Sequence, residues 1–245
     1  MPKVIAFWNR KGGVGKTTTT GHVGYDLSKY GRTLLVDVDP QSTLTSWLVP
    51  ADVDVEYELT DVLRGRVAVD KAILAVRENL AILPSFAIDG ALQDWGDAEV
   101  HKKPFAFADF VTTLNQFEYV LFDMHPGDSM LERTALSACH EIVLVTMPEL
   151  FSHAGIQSAH EVLDSIKQNL RGQARYDRIV VNRINKRYSS HHVLLEAAEQ
   201  SGHTIYEVGQ SQPIHDAAFD KKFLAEHDPR NAAIEAYEAI GEALR

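Results

Sequence analysis

The chain has 245 residues, with 34 acidic and 24 basic side chains and one cysteine, Cys139. A formal charge of −10 argues against a protein that coats nucleic acid over its whole surface, and one cysteine excludes an internal disulfide or a Cys-pair metal site. No apolar run is long enough to span a membrane and the N-terminus lacks a signal-peptide pattern, so we expect a cytoplasmic protein. The length fits one α/β domain over residues 1–245.

A glycine-rich segment, residues 9–18, follows an apolar run typical of a buried strand and precedes a helix-compatible sequence. Its glycines leave main-chain N–H groups open to a polyphosphate, and the following helix directs its positive end towards that anion. In such a loop Lys16 reaches the β- and γ-phosphates, the Thr17 hydroxyl binds the Mg²⁺ that bridges them, and Thr18 lies by the α-phosphate. The segment therefore predicts a phosphate-binding loop, the alternative being a turn with two exposed lysines.

The start of this segment departs from the common P-loop pattern, which has a glycine where this chain has Arg10. A second lysine, Lys11, follows it. The sequence Lys-Gly-Gly-x-Gly-Lys-Thr-Thr resembles the signature of the deviant Walker A ATPases, the ParA/Soj and MinD group. In that group the extra lysine crosses a dimer interface to the partner's ATP, so the resemblance implies a homodimer in which Lys11 acts in trans. The predicted ATP-binding residues of the loop are Lys11, Gly12, Gly13, Val14, Gly15, Lys16, Thr17 and Thr18.

A second apolar run, residues 33–36, ends in two aspartates, Asp37 and Asp39. Ligand-binding residues gather at the carboxyl ends of buried parallel strands, so we expect both aspartates beside the phosphate-binding loop. The sequence Asp-x-Asp-Pro-Gln resembles the second signature of the family, which implies that Asp39 positions or activates the attacking water. Asp37 is expected to orient its neighbours or an outer-shell magnesium water. Alternatively, the two aspartates only end a strand and begin a turn at Pro40.

The middle of the chain carries fewer functional signals. Apolar spacing predicts helices at residues 58–63 and 72–76 and a core strand at residues 80–84. An aromatic stripe is expected to line the buried face of a further helix. Its members are Phe105, Phe107 and Phe110.

An apolar strand that ends at Asp123 resembles a Walker B strand, whose carboxylate holds a water on the magnesium ion. The family usually continues Asp-x-Pro-Pro, whereas this chain has His125 in place of the first proline. The substitution places a titratable imidazole near the γ-phosphate, and a purely structural role for His125 is the alternative. The resemblance implies three catalytic residues, namely Lys11, Lys16 and Asp39.

The last third of the chain continues the alternation of strands and helices. Elements are predicted at residues 142–146, 152–169, 178–182, 190–200, 204–208 and 231–244, with an irregular stretch around Pro213. In related ATPases an asparagine at the end of the strand that corresponds to residues 178–182 binds the adenine edge, so Asn182 is the candidate for base recognition. The alternative for Asn182 is a strand-terminal turn. The last helix is acidic, which argues against a MinD-like contact with acidic lipid.

Basic residues cluster locally on this acidic chain between positions 171 and 187, with one acid among them, Asp177. ParA-type proteins bind DNA without sequence preference through such residues, although an arginine common in the family is missing from residues 209–213. A solvated surface is the alternative. The predicted DNA contacts are Arg183, Lys186, Arg187, Lys221 and Lys222.

The alternation of strand-sized apolar runs and helical segments predicts a doubly wound, mostly parallel sheet with helices on both faces. The resemblance implies a DNA partition ATPase whose ATP-bound sandwich dimer binds non-specific DNA on the nucleoid and is reset by a ParB-like centromere-binding protein. The chain begins at the P-loop strand, so we expect no N-terminal helix-turn-helix extension. Two alternatives remain, an ATPase that positions a protein cargo or regulates division without binding DNA, and a metabolic P-loop ligase.

Overall fold

The computed structural model describes residues 1–88, 90–151, 153–189, 191 and 202–245. The strands are β1 (Lys3–Trp8), β2 (Thr33–Val38), β3 (Leu74–Arg77), β4 (Leu80–Leu83), β5 (Tyr119–Met124), β6 (Glu141–Thr146), β7 (Arg175–Ile184) and β8 (Thr204–Gly209). They form one sheet in the order β3-β4-β2-β5-β1-β6-β7-β8. Every neighbouring pair is parallel except β3 with β4, which is antiparallel.

Helices follow most of the strands. The α-helices are α1 (Lys16–Leu27), α2 (Thr43–Leu48), α3 (Leu59–Arg64), α4 (Val69–Ala72), α5 (Ala91–Asp94), α6 (Ala106–Thr112), α7 (Met130–Ser137), α8 (His153–Asn169), α9 (Gln212–Phe219), α10 (Leu224–His227) and α11 (Ala233–Ala243). A π-helical turn spans Trp95–Glu99, and 3₁₀ turns span Val100–Lys102 and Pro148–Leu150. In the described part of the chain, no helix has the length and apolar content needed to cross a bilayer.

Both faces of the sheet are buried, which is why its central strands read as continuous apolar runs. In β1, Val4 and Trp8 belong to a core that also contains side chains of α6, α7 and α8, whereas Ile5 and Phe7 belong to a second core with α1 and α11. All four side chains are fully buried. The predicted doubly wound sheet is therefore confirmed, and the carboxyl ends of β1, β2, β5 and β6 meet along one edge.

Three local predictions are wrong. Residues 74–77 form an edge strand, not a helix, because they pair antiparallel with β4 and expose alternate side chains. Phe105 is 38% exposed before the start of α6, although Phe107 and Phe110 are buried as expected. Pro213 does not interrupt the chain but occupies the first turn of α9, where its missing N–H costs no hydrogen bond. Of the helix predicted at residues 190–200, the structure describes His191; the others lie outside the described residues, as does Ser152.

Candidate functional site

The glycine-rich segment forms the loop between β1 and α1. Gly15 caps α1 with φ +91°, a left-handed conformation that favours glycine. A Cβ atom on Gly15 would also lie 2.6 Å from Nδ2 of Asn182, so no side chain fits there. The loop therefore brings bare main chain to the amino end of a 12-residue helix, as the binding of an anion requires.

The two lysines of the loop have different surroundings. Lys16 is 6% exposed and its Nζ donates to the main-chain oxygen of Lys11 at 2.9 Å, whereas the Lys11 side chain is exposed. Burial lowers the pKa of Lys16, and the carboxylates of Asp123 and Asp39 oppose that shift. Lys16 thus faces the loop and both acidic strand ends, while Lys11 points towards solvent.

Asn9, which the sequence reasoning overlooked, holds the start of the loop. Its Nδ2 donates to the main-chain oxygen of Val145 on β6 at 2.7 Å, and its Oδ1 accepts from the N–H of Lys11 at 2.9 Å. The only feature of the sequence that pointed to Asn9 is its position as the first polar residue after β1. Many strands end in a polar residue, so this feature did not distinguish Asn9.

Asp37 and Asp123 are register partners on the adjacent strands β2 and β5, and both are fully buried. Asp37 accepts hydrogen bonds from the N–H and hydroxyl of Thr45, at 2.8 and 2.7 Å, and from the N–H of Asp39 at 3.2 Å. Burial nevertheless raises the pKa of Asp37 to about 7. The Asp37 carboxylate therefore bonds to Thr45 and to the turn that carries Asp39, which agrees with one of the two roles expected for it.

Asp123 has a different environment. Among the described residues neither of its carboxylate oxygens has a hydrogen bond of good geometry. Burial raises the pKa of Asp123 well above its usual range and Asp37 adds to the rise, whereas hydrogen bonding to the Thr17 hydroxyl and the charge of Lys16 act in the opposite direction. A buried carboxylate that faces a threonine hydroxyl and a lysine is suited to a hydrated magnesium ion.

Asp39 follows β2 and is 7% exposed. One of its carboxylate oxygens accepts from the N–H of Gln41 at 2.8 Å, and its main-chain oxygen accepts from the hydroxyl of Ser85 at 3.0 Å. The loop after β4 therefore supports the turn that carries Asp39. This geometry leaves the carboxylate able to accept a second hydrogen bond, as the positioning of a water requires.

His125 lies in the loop that follows β5, and its imidazole contacts the carboxylate of Glu132 in α7. Its Nδ1 lies 3.2 Å from Oε1 of Glu132, and Oε2 of Glu132 accepts from the N–H of Ser129 at 2.6 Å. The hydrogen bond with Glu132 raises the pKa of His125. His125 therefore links this loop to the first turn of α7, which supports the structural alternative for it.

A pocket of about 350 Å³ opens beside the loop. Asn182 lines it, but the Nδ2 of Asn182 donates to the main-chain oxygen of Val14 at 2.8 Å and to the hydroxyl of Thr19 at 3.2 Å. The amide N–H groups thus brace the loop, and its carbonyl is the part that can face a base. Sequence reasoning missed most of the lining, which consists of Gly15, Thr18, Asn182, Arg183, Val208, Gly209, Gln210, Ser211, Gln212, Ile214, His215 and Tyr237.

The basic residues between positions 171 and 187 do not form one patch. Arg175 and Arg178 lie at the amino end of the ten-residue strand β7, where Arg178 pairs with the buried Glu141. Arg183 lies near the carboxyl end of β7, and Arg187 follows the strand. Only this second group shares the edge of the glycine-rich loop.

Two of the predicted DNA contacts also serve the fold. Lys186 lies 3.4 Å from the carboxylate of Glu207, and Lys221 donates to the main-chain oxygens of Ser46 and Val49 at 2.8 and 3.0 Å. Lys221 therefore caps the carboxyl end of α2. Lys222 is exposed next to it.

Comparison with known proteins places these features in a family. A family model described as an AAA domain matches residues 2–175. An uncharacterised protein of Borreliella burgdorferi is 29% identical over 245 residues, covering 99% of each chain. The sporulation initiation inhibitor protein Soj of Bacillus subtilis is 28% identical over 246 residues, covering 97% of this chain and 96% of Soj.

Solved structures show the same fold. Apo McdA of Cyanothece has a TM-score of 0.89 at 18% identity and covers 100% of both chains. A plasmid partition protein of Borrelia burgdorferi bound to AMPPNP has a TM-score of 0.84 at 21% identity, covering 99% of this chain and 98% of that protein. With a family model matched over residues 2–175 and sequence similarity to Soj over nearly its whole length, the chain belongs to the AAA domain family as a ParA/MinD-type P-loop protein.

Proposed function

We propose that residues 1–245 form one Mg²⁺-dependent ATPase domain that hydrolyses ATP to ADP and phosphate and drives DNA partition. The observation that carries this proposal is the convergence of Lys16, Asp39 and Asp123 on a glycine loop at the amino end of α1. Lys11 projects to solvent from the same loop. The Borrelia relative bound to AMPPNP supports ATP as the nucleotide.

The chemistry follows from this arrangement. The main-chain N–H groups of residues 12–18 and the Lys16 ammonium would hold the phosphates, and Thr17 and Asp123 would hold Mg²⁺, the latter through water. Asp39 would orient the water that attacks the γ-phosphate. Lys16 would stabilise the negative charge that develops on the transferred group, and a bound Mg²⁺ would supply further positive charge there. The pocket beside Asn182 takes the adenosine half of ATP.

In this proposal ATP closes a sandwich homodimer in which each Lys11 reaches the partner's phosphates. The paired subunits bind non-specific DNA on the nucleoid, and a ParB-like protein accelerates hydrolysis and so separates them. Pairing doubles any basic surface, which makes the contact strongly salt-dependent. The basic residues concerned are Arg183, Lys186, Arg187, Lys221 and Lys222.

The change Lys11→Ala tests the trans role. It should leave ATP binding within about threefold of the parent, because Lys16 holds the phosphates in cis, and should abolish the ATP-dependent dimer. Sedimentation with a non-hydrolysable ATP analogue measures the dimer, and isothermal titration measures binding. Lys71→Ala, at an exposed lysine on α4, is the matched control. Dimers that persist in Lys11→Ala would remove the trans role.

A second candidate function is an ATPase that positions a protein cargo without binding DNA. The formal charge of −10 favours it, as do the contacts that Lys186 and Lys221 make within the chain. The likeness to McdA and to a plasmid partition protein does not separate the two functions, because at 18% and 21% identity it shows the fold alone.

A further inference from the structure

A second pocket, of about 330 Å³, lies on the other side of the glycine-rich loop and shares no lining residue with the pocket beside Asn182. It lies between the start of the loop, the carboxyl end of β6 and the first half of α8. Its volume is in the range of pockets that bind small molecules. The lining consists of Asn9, Arg10, Lys11, Leu144, Thr146, Phe151, Gly155, Ile156, Ser158, Ala159 and Ile179.

Charge distinguishes this pocket from the surface around it. Arg10 and Lys11 line it, and none of the described residues that line it is acidic, although the whole chain carries 34 acidic side chains. Among the described residues neither cation forms a salt bridge with a carboxylate within the chain, in contrast to Arg64, which pairs with Glu99 at 2.6 Å. The pocket therefore attracts an anion.

Arg10 is held across the pocket. Its Nη1 donates to the hydroxyl of Ser158 on α8 at 3.0 Å, and Arg10 lines the cavity, so the other N–H groups of the guanidinium can serve a ligand bound there. A planar fork of this kind matches a carboxylate through two parallel hydrogen bonds. The neighbouring Asn9 is neutral, and its amide already bonds to Val145 and Lys11. The positive charge of the pocket therefore comes from Arg10 and Lys11, which lie together on the side of the glycine-rich loop.

The opposite wall is apolar. Leu144 and Ile179 are at most 4% exposed, and the side chains of Phe151, Ile156 and Ala159 complete the wall. Apolar surface of this extent favours an apolar body over a free phosphate, which needs hydrogen-bond partners on all sides. We propose that this pocket binds a carboxylate carried on an apolar body, with the carboxylate on Arg10 and Lys11 and the body on the wall formed with α8.

Octanoate and octanamide are suitable probes, because they differ only in the charged group. Ligand-observed NMR and isothermal titration on the full chain without nucleotide should show octanoate binding at least about tenfold more tightly than octanamide. Arg10→Gln should remove that preference, whereas Arg66→Gln, at an arginine outside the pocket, should keep it. A capped peptide with a glutamate between two leucines, compared with its glutamine version, shows whether a polypeptide can supply the carboxylate.

A second variant, Ala159→Glu, places a carboxylate inside the cavity without changing the loop, and it should abolish binding of both acidic probes. Circular dichroism checks that each variant is folded. The proposal is overturned if neither acid binds more tightly than its amide, or if Arg10→Gln retains the preference. Because no nucleotide is present, these outcomes are independent of the proposed ATPase function. Only one consequence depends on that function: a carboxylate on Lys11 would weaken ATP-dependent pairing.

Discussion

At the scale of single residues, the two buried aspartates of β2 and β5 show how neighbours with the same side chain take different roles. Asp37 accepts three hydrogen bonds from Thr45 and Asp39. Among the described residues neither oxygen of Asp123 has a hydrogen bond of good geometry, although the Thr17 hydroxyl lies near enough to lower its pKa. The two aspartates are register partners, and both are fully buried. The hydrogen-bond donors around each carboxylate therefore separate a structural aspartate from one that is available to a ligand.

The change Asp37→Asn tests the titration of the first aspartate. Folding raises the pKa of Asp37 to about 7, so the folded state binds the proton more tightly than the unfolded chain does. The stability of the parent should therefore fall relative to Asp37→Asn as the pH rises, by about 2 kcal/mol between about pH 5 and about pH 7. Urea unfolding across that range measures the difference. Parallel profiles would contradict the assignment, and the exposed Asp52→Asn serves as control.

The change Asp123→Asn tests the second aspartate. Without nucleotide, the free energy of unfolding should stay within about 1 kcal/mol of the parent, because the Thr17 hydroxyl can donate to the amide oxygen of asparagine as it does to the carboxylate. The increase in melting temperature produced by Mg²⁺ with ATP should disappear, while the increase produced by ATP with EDTA should not change. Thermal scanning of the parent and the variant, with ATP in the presence of Mg²⁺ or of EDTA, measures these increases in melting temperature. A full magnesium-dependent increase in the variant would exclude Asp123 from the metal site.

At the scale of elements, an aromatic contact joins the two helices that follow the glycine loop and Asp39. Trp47 of α2 packs against α1, where a Cβ atom on Gly21 would lie 2.2 Å from the indole. The indole nitrogen donates to the main-chain oxygen of Lys222 at 3.2 Å, and the ring packs against Phe223. The contact fixes α1 and α2 together, and with them the loop and the turn that carries Asp39.

Gly21→Ala should therefore destabilise the protein by about 1–3 kcal/mol through overpacking. An alanine in an ordinary helix interior has the opposite effect, stabilising by about 0.5–1 kcal/mol. Urea unfolding measures the change, and Gly21→Ala combined with Trp47→Leu should recover part of the loss. A single variant more stable than the parent would show that the indole moves aside freely.

Elements also show where sequence reasoning succeeds. The positions of the glycine loop, Asp37, Asp39 and Asp123 were predictable because each lies at, or directly after, the carboxyl end of a strongly apolar central strand that is buried on both faces. The edge strand β3 was not predictable, because its short sequence is also compatible with a helix. Its alternating exposure arises from the pairing with β4. The pocket wall at α9 was missed because the stretch around Pro213 was predicted to be irregular, although the proline fits the first turn of a helix.

At the scale of the whole molecule, β7 carries basic residues to opposite edges of the sheet. Arg175 is exposed at the amino end and pairs with Asp177 at 3.1 Å, while Arg187 is exposed beyond the carboxyl end, on the edge of the glycine loop. The sequence analysis grouped these arginines as one cluster because they are close in the chain. The ten-residue strand β7 places them at opposite ends of its length. These two arginines form a matched pair for testing DNA binding.

If the partition function is correct, Arg187→Glu should weaken ATP-dependent DNA binding and reduce the slope of log affinity against log salt by about 1 per subunit. Arg175→Glu should leave both unchanged, and neither variant should alter ATP turnover. Fluorescence anisotropy with a duplex at several salt concentrations measures the slope. Absence of ATP-dependent binding by the parent, or equal loss in both variants, would favour the positioning of a protein cargo.

The hydrogen bond from the Lys16 ammonium to the Lys11 carbonyl has a consequence for how two copies would recognise each other. An ammonium has three N–H donors, so Lys16 can keep this hydrogen bond while it also binds a triphosphate in its own subunit. The bound nucleotide would then be tied, through one side chain, to the main chain from which Lys11 extends. Under the proposed function, the position from which Lys11 reaches a second copy would therefore depend on the nucleotide bound in its own subunit.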